Sequence, residues 1–475
     1  MGAVLGHYGG DVADIITDTT LVTVDGRSGV HHAAGIAIAD GRIAAIGTTR
    51  EILDRFPHAF RVDGRGKVIM PGFANTHAHL YLTIARGLFE DYPTYAHPPY
   101  DAVGRPPIPQ LSREERSVMA QLGALEALRS GTTFVLDDTL HAEDYAADLV
   151  PSGLRILFAE RTWDRARAAV SQPGPFDPDP ALGAATLERA EALYRQWHGA
   201  ARGRISVAVS AWSPDTCSPE HLQKLRALQE RLDVPATIHL NQAWGEVAAV
   251  KRHRNMLPSE YLQAIGFLSD RLIAAHCRCM TADEEQILGR AGVVVAFNPC
   301  MAARRGLSPH IAALEQHGCQ ITIGTDNMAY DMVEATRTGM FMERVRRNAG
   351  GDRPTADETL TWATANGYRA MGVPDGGALR VGNRADLIMI DALKAHLVPT
   401  TRFVSAFVHQ GQASDVVGVM VDGQWLMRDG RVLTMDEAFI VREAERIGHT
   451  RWAERFAETG GAGFLPGFAP RPPSA

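Results

Sequence analysis

The sequence predicts an α/β fold, a (β/α)8 TIM barrel with a small β-sandwich domain formed from both chain ends. Three observations predict it. Short apolar runs alternate with amphipathic helical stretches through the middle of the chain, these runs number eight, and both ends carry a hairpin-like texture instead. At 475 residues the chain is about three times a typical single domain, which leaves room for a barrel and a second unit.

Residues 1–66 form the N-terminal part of the predicted sandwich. ADIITDTTLVTVDG, GIAIADGRIAAIG and RVDGRGKVIMPG carry β-branched runs stopped by Asp-Gly or Gly, the chemistry of tight hairpins. The barrel is predicted over 67–375. Its strands begin with VIMPGFANTHAH and TTFVLDD, then follow RILFAE (155–160), RISVAVSAW (204–212), PATIHLN (235–241), LIAAHC (272–277), GVVVAFNP (292–299) and CQITIGTD (319–326). Helical stretches at 182–198, 219–232, 258–266, 282–290 and 355–371 fill most of the intervals. Ser112 with Glu115 reads as a capping box opening a helix that Gly131 stops. The β-texture returns over 376–435, and 436–475 reads as an amphipathic helix that covers the barrel or a neighbouring subunit, followed by a Pro/Gly-rich tail. Two irregular stretches stand out. Residues 89–110 follow the first barrel strand and are a candidate lid or substrate wall, and 172–181, with four prolines, reads as a surface loop.

Composition removes several classes of function. Hydrophobic residues at 45% and charged residues at 22% exclude a disordered or fibrous chain. A net charge of −7 advertises no basic face for nucleic acid. No apolar run approaches the ~20 residues of a membrane helix, and five sparse cysteines suggest no disulfide framework. A cytoplasmic setting is expected.

Chemistry concentrates at strand ends. Asn75-Thr76-His77-Ala78-His79 closes the first barrel strand, and residues i and i+2 of a strand share a side, so His77 and His79 can present two imidazoles to one point. His239, His276 and Asp326 each end a further apolar strand, where a barrel exposes its functional rim. Each alone reads equally well as a satisfied rim residue, whereas five together point to a metal centre.

VIMPGFANTHAHLYLTIARGL, ATIHL, IAAHC, VVAFNP and ITIGTDN, in this order, resemble the amidohydrolase superfamily, in the branch of cytosine deaminase, adenosine-type deaminases and the s-triazine hydrolases. GALRVGNRADL (377–387) resembles that family's return to its small β-domain. The resemblance implies that His77, His79, His239 and Asp326 hold one divalent metal, zinc first, with iron, cobalt or manganese as alternatives. It also implies that His276 holds or polarises the water, that Asp326 accepts its proton, and that the substrate is a small molecule. A homodimer or larger homo-oligomer is the family's tendency. No strand-end lysine offers a metal bridge, so a mononuclear centre is expected.

Three positions depart from the family's pattern. Gln242 replaces the glutamate of His-x-x-Glu, and an amide cannot carry a proton at neutral pH. Trp212 and Phe297 stand where substrate-side histidines are usual. These changes favour a neutral, partly apolar substrate held by Gln242, Trp212, Phe297, Trp244 and Tyr81. The leading expectation is therefore hydrolysis of a C–N or C–S bond in an amide, urea, carbamate or thiocarbamate. The alternative is an aminohydrolase or chlorohydrolase of a heteroaromatic ring, with Glu246 as proton shuttle unless it lies on the exposed face of a helix start. A non-hydrolytic ligand-binding barrel is the third. Cys277 and Cys279 read as core cysteines, Asp137 and Asp138 as rim residues, and Glu160 with Arg161 as partners of each other or of nearby loops.

Overall fold

The computed structural model describes residues 12–26, 29–92, 106–165, 176–347 and 352–468. Eight strands form one sheet in sequence order, every neighbouring pair parallel. They are Phe73–Ala78, Thr132–Thr139, Arg155–Thr162, Ile205–Ala211, Ala236–Leu240, Leu272–His276, Val294–Phe297 and Gln320–Ile323, so each predicted apolar run contributes one strand. A bridge between Ala78 and Asp326 brings the first and last strands together. That closure puts the C-terminal ends of all eight at one mouth, where loops are free to carry function.

Parallel barrel strands are buried on both faces. In the seventh, Val294 and Ala296 join the cluster inside the barrel, whereas Val295 and Phe297 belong to the larger cluster between strands and helices. The first barrel strand starts just after Gly72, where a Cβ would come within 2.1 Å of the Thr133 side chain, so only glycine lets the chain pass from one sheet to the other.

The second sheet has nine strands drawn from both chain ends. Lys67–Pro71, next to the barrel in sequence, sits at its centre, parallel to Val12–Val22 and antiparallel to Leu387–Asp391. A buried ion-pair network ties this sheet to the barrel. Arg155, at the start of the third barrel strand, donates from Nε to Asp386 Oδ2 (2.9 Å) and from Nη2 to Asp422 Oδ1 (2.6 Å). Tyr368 Oη donates to the same Asp386 (2.9 Å).

The helix Arg113–Arg129 opens with the Ser112–Glu115 capping box. The C-terminal helix Glu437–Thr459 packs on it, with Arg451 bonded to Glu115 (2.9 Å) and Trp452 Nε1 donating to the Ile84 carbonyl (2.6 Å). It covers the flank of this chain's own barrel. Helix 355–371 is interrupted by a π-helical turn at Trp362–Asn366. Residues 93–105 of the candidate lid, 172–175 of the proline-rich loop and the end of the tail lie outside the described residues. No helix among the described residues is long and apolar enough to cross a membrane. All five cysteines are free and buried, as core cysteines are.

Candidate metal centre and active site

The strand ends deliver their imidazoles to one point at the barrel mouth. The His77 ring lies 4.6 Å from that of His79, 4.9 Å from His239 and 5.3 Å from His276, centroid to centroid. Asp326 Oδ1 is 3.3 Å from His79 Nε2, and its Oδ2 is 3.9 Å from His276 Nε2. Ligand atoms of His77, His79, Asp138 and His239 all lie within 4.8 Å of one another, as do those of His77, His276 and Asp326. The backbone is strained at the same places, with His276 at φ 83° and Asp326 at φ 68°, left-handed values that non-glycine residues adopt sparingly.

Neighbouring groups orient the rings. His79 Nδ1 donates to the Asp138 carbonyl (2.5 Å) and His239 Nδ1 to that of Trp212 (2.7 Å), which leaves each Nε2 lone pair facing the centre. Asn298 Nδ2 donates to His276 Nδ1 (3.2 Å), so the Nε2 of that ring carries the proton. His77 is fully buried, and neither ring nitrogen has a hydrogen-bond partner among the described residues. A buried imidazole without a partner is costly, and a cation among these donors would remove that cost. The donor set therefore fits a divalent metal.

Burial, aided by positive neighbours, holds the pKa of His77, His239 and His276 well below the ordinary histidine value, which keeps these imidazoles neutral and leaves His77 and His239 able to ligate. Burial pushes Asp326 the other way, but its contact with His79 and the surrounding histidines hold its carboxyl well below the usual range. It stays ionised. Gly324 lets the last strand close on the first, since a Cβ there would meet His77 at 2.9 Å and Asn298 Oδ1 at 2.3 Å.

A cavity of about 320 Å³ opens over the cluster, within the small-molecule range. Of the predicted substrate-side residues, Tyr81, Trp212 and Gln242 line it. Two others do not, which corrects the sequence-based expectation. Phe297 points outward between its strand and the helix Met332–Arg347, its ring near Gly339, because its strand alternates Val295 and Phe297 to the outer face. Trp244, first residue of the helix Trp244–Arg254, is 36% exposed and lies outside the cavity lining.

Glu246 also differs from the exposed helix start. It is buried, lines the cavity, and accepts the backbone N–H groups of Asn241 (2.8 Å) and Gln242 (2.9 Å). Burial and then the nearby Asp215 raise its pKa well above the ordinary carboxyl value. Its carboxyl fixes the loop that carries Gln242. Glu160 and Arg161 do not pair with each other. Adjacent strand residues face opposite sides, so Glu160 turns outward to Arg189 (3.2 Å) while Arg161 turns inward to Asp138 (3.0 Å).

The sequence reading takes Asp138 only as a rim residue and Arg161 only as a partner of its neighbours, and it gives Asn298 no role. Asp138 holds Arg161 and accepts from Ser210 Oγ (2.8 Å). Arg161 stacks over Trp212 and places Nη2 3.0 Å from His79 Nε2. Asn298 orients His276. Each directly adjoins an end-of-strand residue that was singled out, which is the signal that could have found them.

Comparison with known proteins agrees with this geometry. The Amidohydrolase family profile matches residues 68–426, and an imidazolonepropionase-like composite domain of bacteria matches residues 34–59. The chain is 32% identical over 416 residues to a 5'-deoxyadenosine deaminase of Methanothermobacter thermautotrophicus, covering 86% of this chain and 93% of that one. It is 33% identical over 426 residues to a 5-methylthioadenosine/S-adenosylhomocysteine deaminase of Desulforudis audaxviator, with the same two shares. Among solved structures, a zinc-bound adenosine deaminase of Xanthomonas campestris superposes with a TM-score of 0.82 at 25% identity, covering 93% of this chain and 99% of that one. With the match spanning the whole barrel and the strands that pair around it, this chain is a member of the amidohydrolase family, a metal-dependent hydrolase.

Proposed function

We propose that the chain is an aminohydrolase that releases ammonia from a heteroaromatic amine, with His77, His79, His239 and Asp326 holding a divalent ion, zinc in the first instance. The observation that carries this reading is the convergence of four imidazoles and one ionised carboxylate around the unpartnered His77, in a chain whose relatives are named deaminases. It replaces the sequence-based preference for ureas and thiocarbamates by the alternative weighed beside it. When bound, a divalent ion in such a site supplies Lewis acidity and a water acidified toward neutral pH.

The chain's own residues do the rest. Asp326, ionised and 3.9 Å from His276, accepts the proton of the attacking water, and the His276 Nε2–H, set by Asn298, orients that water. Gln242 can donate to a ring nitrogen or accept from the amine but cannot shuttle a proton. Proton delivery to the leaving nitrogen therefore falls to Asp326. Glu246 accepts one backbone N–H on each oxygen, and we assign it the support of Gln242, with the proton transfer assigned to Asp326. Trp212 and Tyr81 supply the flat apolar wall against which a heteroaromatic ring stacks.

The test is ammonia release by zinc-loaded protein from adenosine, 5'-deoxyadenosine, 5-methylthioadenosine and an amino-s-triazine, run beside a phenylurea and a thiocarbamate. Turnover of at least one ring amine is expected. Hydrolysis of the urea or thiocarbamate alone would return the assignment to C–N or C–S cleavage, the reading that Gln242 by itself favours. Gln242→Ala should lower kcat/KM only about tenfold, the worth of one hydrogen bond to substrate.

A further inference from the structure

Among the described residues three arginines line the cavity, and two of them are engaged. Arg161 pairs with Asp138 (3.0 Å), and Arg305 Nη1 donates to the carbonyls of Phe89 (3.3 Å) and Tyr92 (3.4 Å). Arg278 is different. It follows the sixth barrel strand, two residues beyond His276, and its Nε and Nη1 are buried without a hydrogen-bond partner among the described residues. The turn that places it there is well fixed, with His276 and Cys277 in left-handed conformation and the Arg278 N–H donating to the Asn241 carbonyl (3.0 Å).

The surrounding carboxylates are committed elsewhere. Asp326 sits among the histidines, Glu246 accepts two backbone N–H groups, and Glu284 accepts from Asn241 Nδ2 (3.1 Å) and the Ser259 N–H (3.1 Å). A guanidinium remains protonated at any working pH. Packing at this position would be served equally by an uncharged chain of the same length, and although Asp326 and Glu246 lie near enough to favour its charge, a buried guanidinium with no hydrogen-bonded carboxylate is costly. Each edge of its planar fork, Nε with Nη2 or Nη1 with Nη2, matches a carboxylate with two parallel hydrogen bonds, and each includes one of the unpartnered nitrogens.

We infer that Arg278 is an anion anchor and that the substrate is an acidic molecule, an aminoheterocycle bearing a carboxylate or a planar anionic group of that shape. The carboxylate pairs with the Arg278 fork while the amine end reaches the cluster of His77, His79, His239 and Asp326. This deepens the proposed aminohydrolase reading, on which it rests for the reacting end, and replaces the neutral substrate expected from the sequence.

The test is calorimetric binding of benzoate and of its neutral isostere benzamide to the zinc-loaded full chain, in wild type, Arg278→Met and Arg278→Lys. Wild type should prefer benzoate by tenfold or more, Arg278→Met should lose that preference, and Arg278→Lys should keep part of it, as a point charge without the fork. Arg278→Met should also melt no lower than wild type. If it melts early, Arg278→Lys decides: benzoate must weaken several-fold with benzamide unchanged, and equal binding overturns the anchor. No preference in wild type, or a preference that survives Arg278→Met because the anion sits on the metal, overturns it as well. The two proposals fail separately. A chain that shows the benzoate preference but releases no ammonia, either from the neutral ring amines or from an aminoheterocycle bearing a carboxylate, refutes the aminohydrolase reading alone, and a working deaminase indifferent to benzoate refutes the anchor alone.

Discussion

Asp326→Ala should reduce turnover roughly a thousandfold or more, the scale of losing a general acid–base group together with a metal ligand. The side chain has two duties at one point. Its Oδ1 lies 3.3 Å from His79 Nε2 on the ligand side, and its Oδ2 lies 3.9 Å from His276 Nε2 on the water side. Gln242 cannot take over the proton, and Glu246, whose carboxyl supports the Asn241–Gln242 backbone, cannot take over the metal ligation. The measurement is kcat on the best substrate of the panel, with circular dichroism to confirm the fold. An active Asp326→Ala beside a dead Gln242→Ala would reverse the roles assigned here.

Asp386→Ala should be the most destabilising single change outside the site. The Arg155 and Asp386 side chains are 1% and 0% exposed, and Asp386 receives Arg155, the Tyr368 hydroxyl and the Asp422 N–H together. Truncation strands a buried guanidinium, a loss of about 3–5 kcal/mol in comparable pairs. Asp422 holds only one edge of that guanidinium and is partly exposed, so it cannot replace the lost partner. The double change Arg155→Met with Asp386→Leu removes both charges and should cost less than Asp386→Ala alone. Urea denaturation of the three proteins reads the difference. An Asp386→Ala midpoint indistinguishable from wild type would mean that the two sheets do not depend on this junction.

The barrel and the metal cluster were legible in the sequence because a polar, ionisable residue after an apolar strand run has no packing reason to be there. His77, His79, His239, His276 and Asp326 all announce themselves in that way. Which side a wall residue faces was not legible. Strands of a parallel barrel are apolar on both faces, so a run such as Val294–Phe297 carries no alternation from which to read that Phe297 turns outward. Trp244 and Glu246 begin one short helix, and its rotation is set by the backbone N–H groups that Glu246 accepts, a tertiary fact absent from local pattern. The pairing of Glu160 with Arg161 could have been rejected from the sequence, since consecutive strand residues point apart. Arg278 was visible only as the residue between two cysteines, because a missing partner is a property of the folded pocket.

Metal content after zinc reconstitution, read by plasma mass spectrometry for wild type and His77→Ala, bears most directly on whether the strand-end imidazoles share a cation. About one tightly held ion per wild-type chain and near-complete loss in His77→Ala are predicted. A wild-type chain that holds no metal after dialysis, or a His77→Ala chain that keeps its full complement, would contradict it.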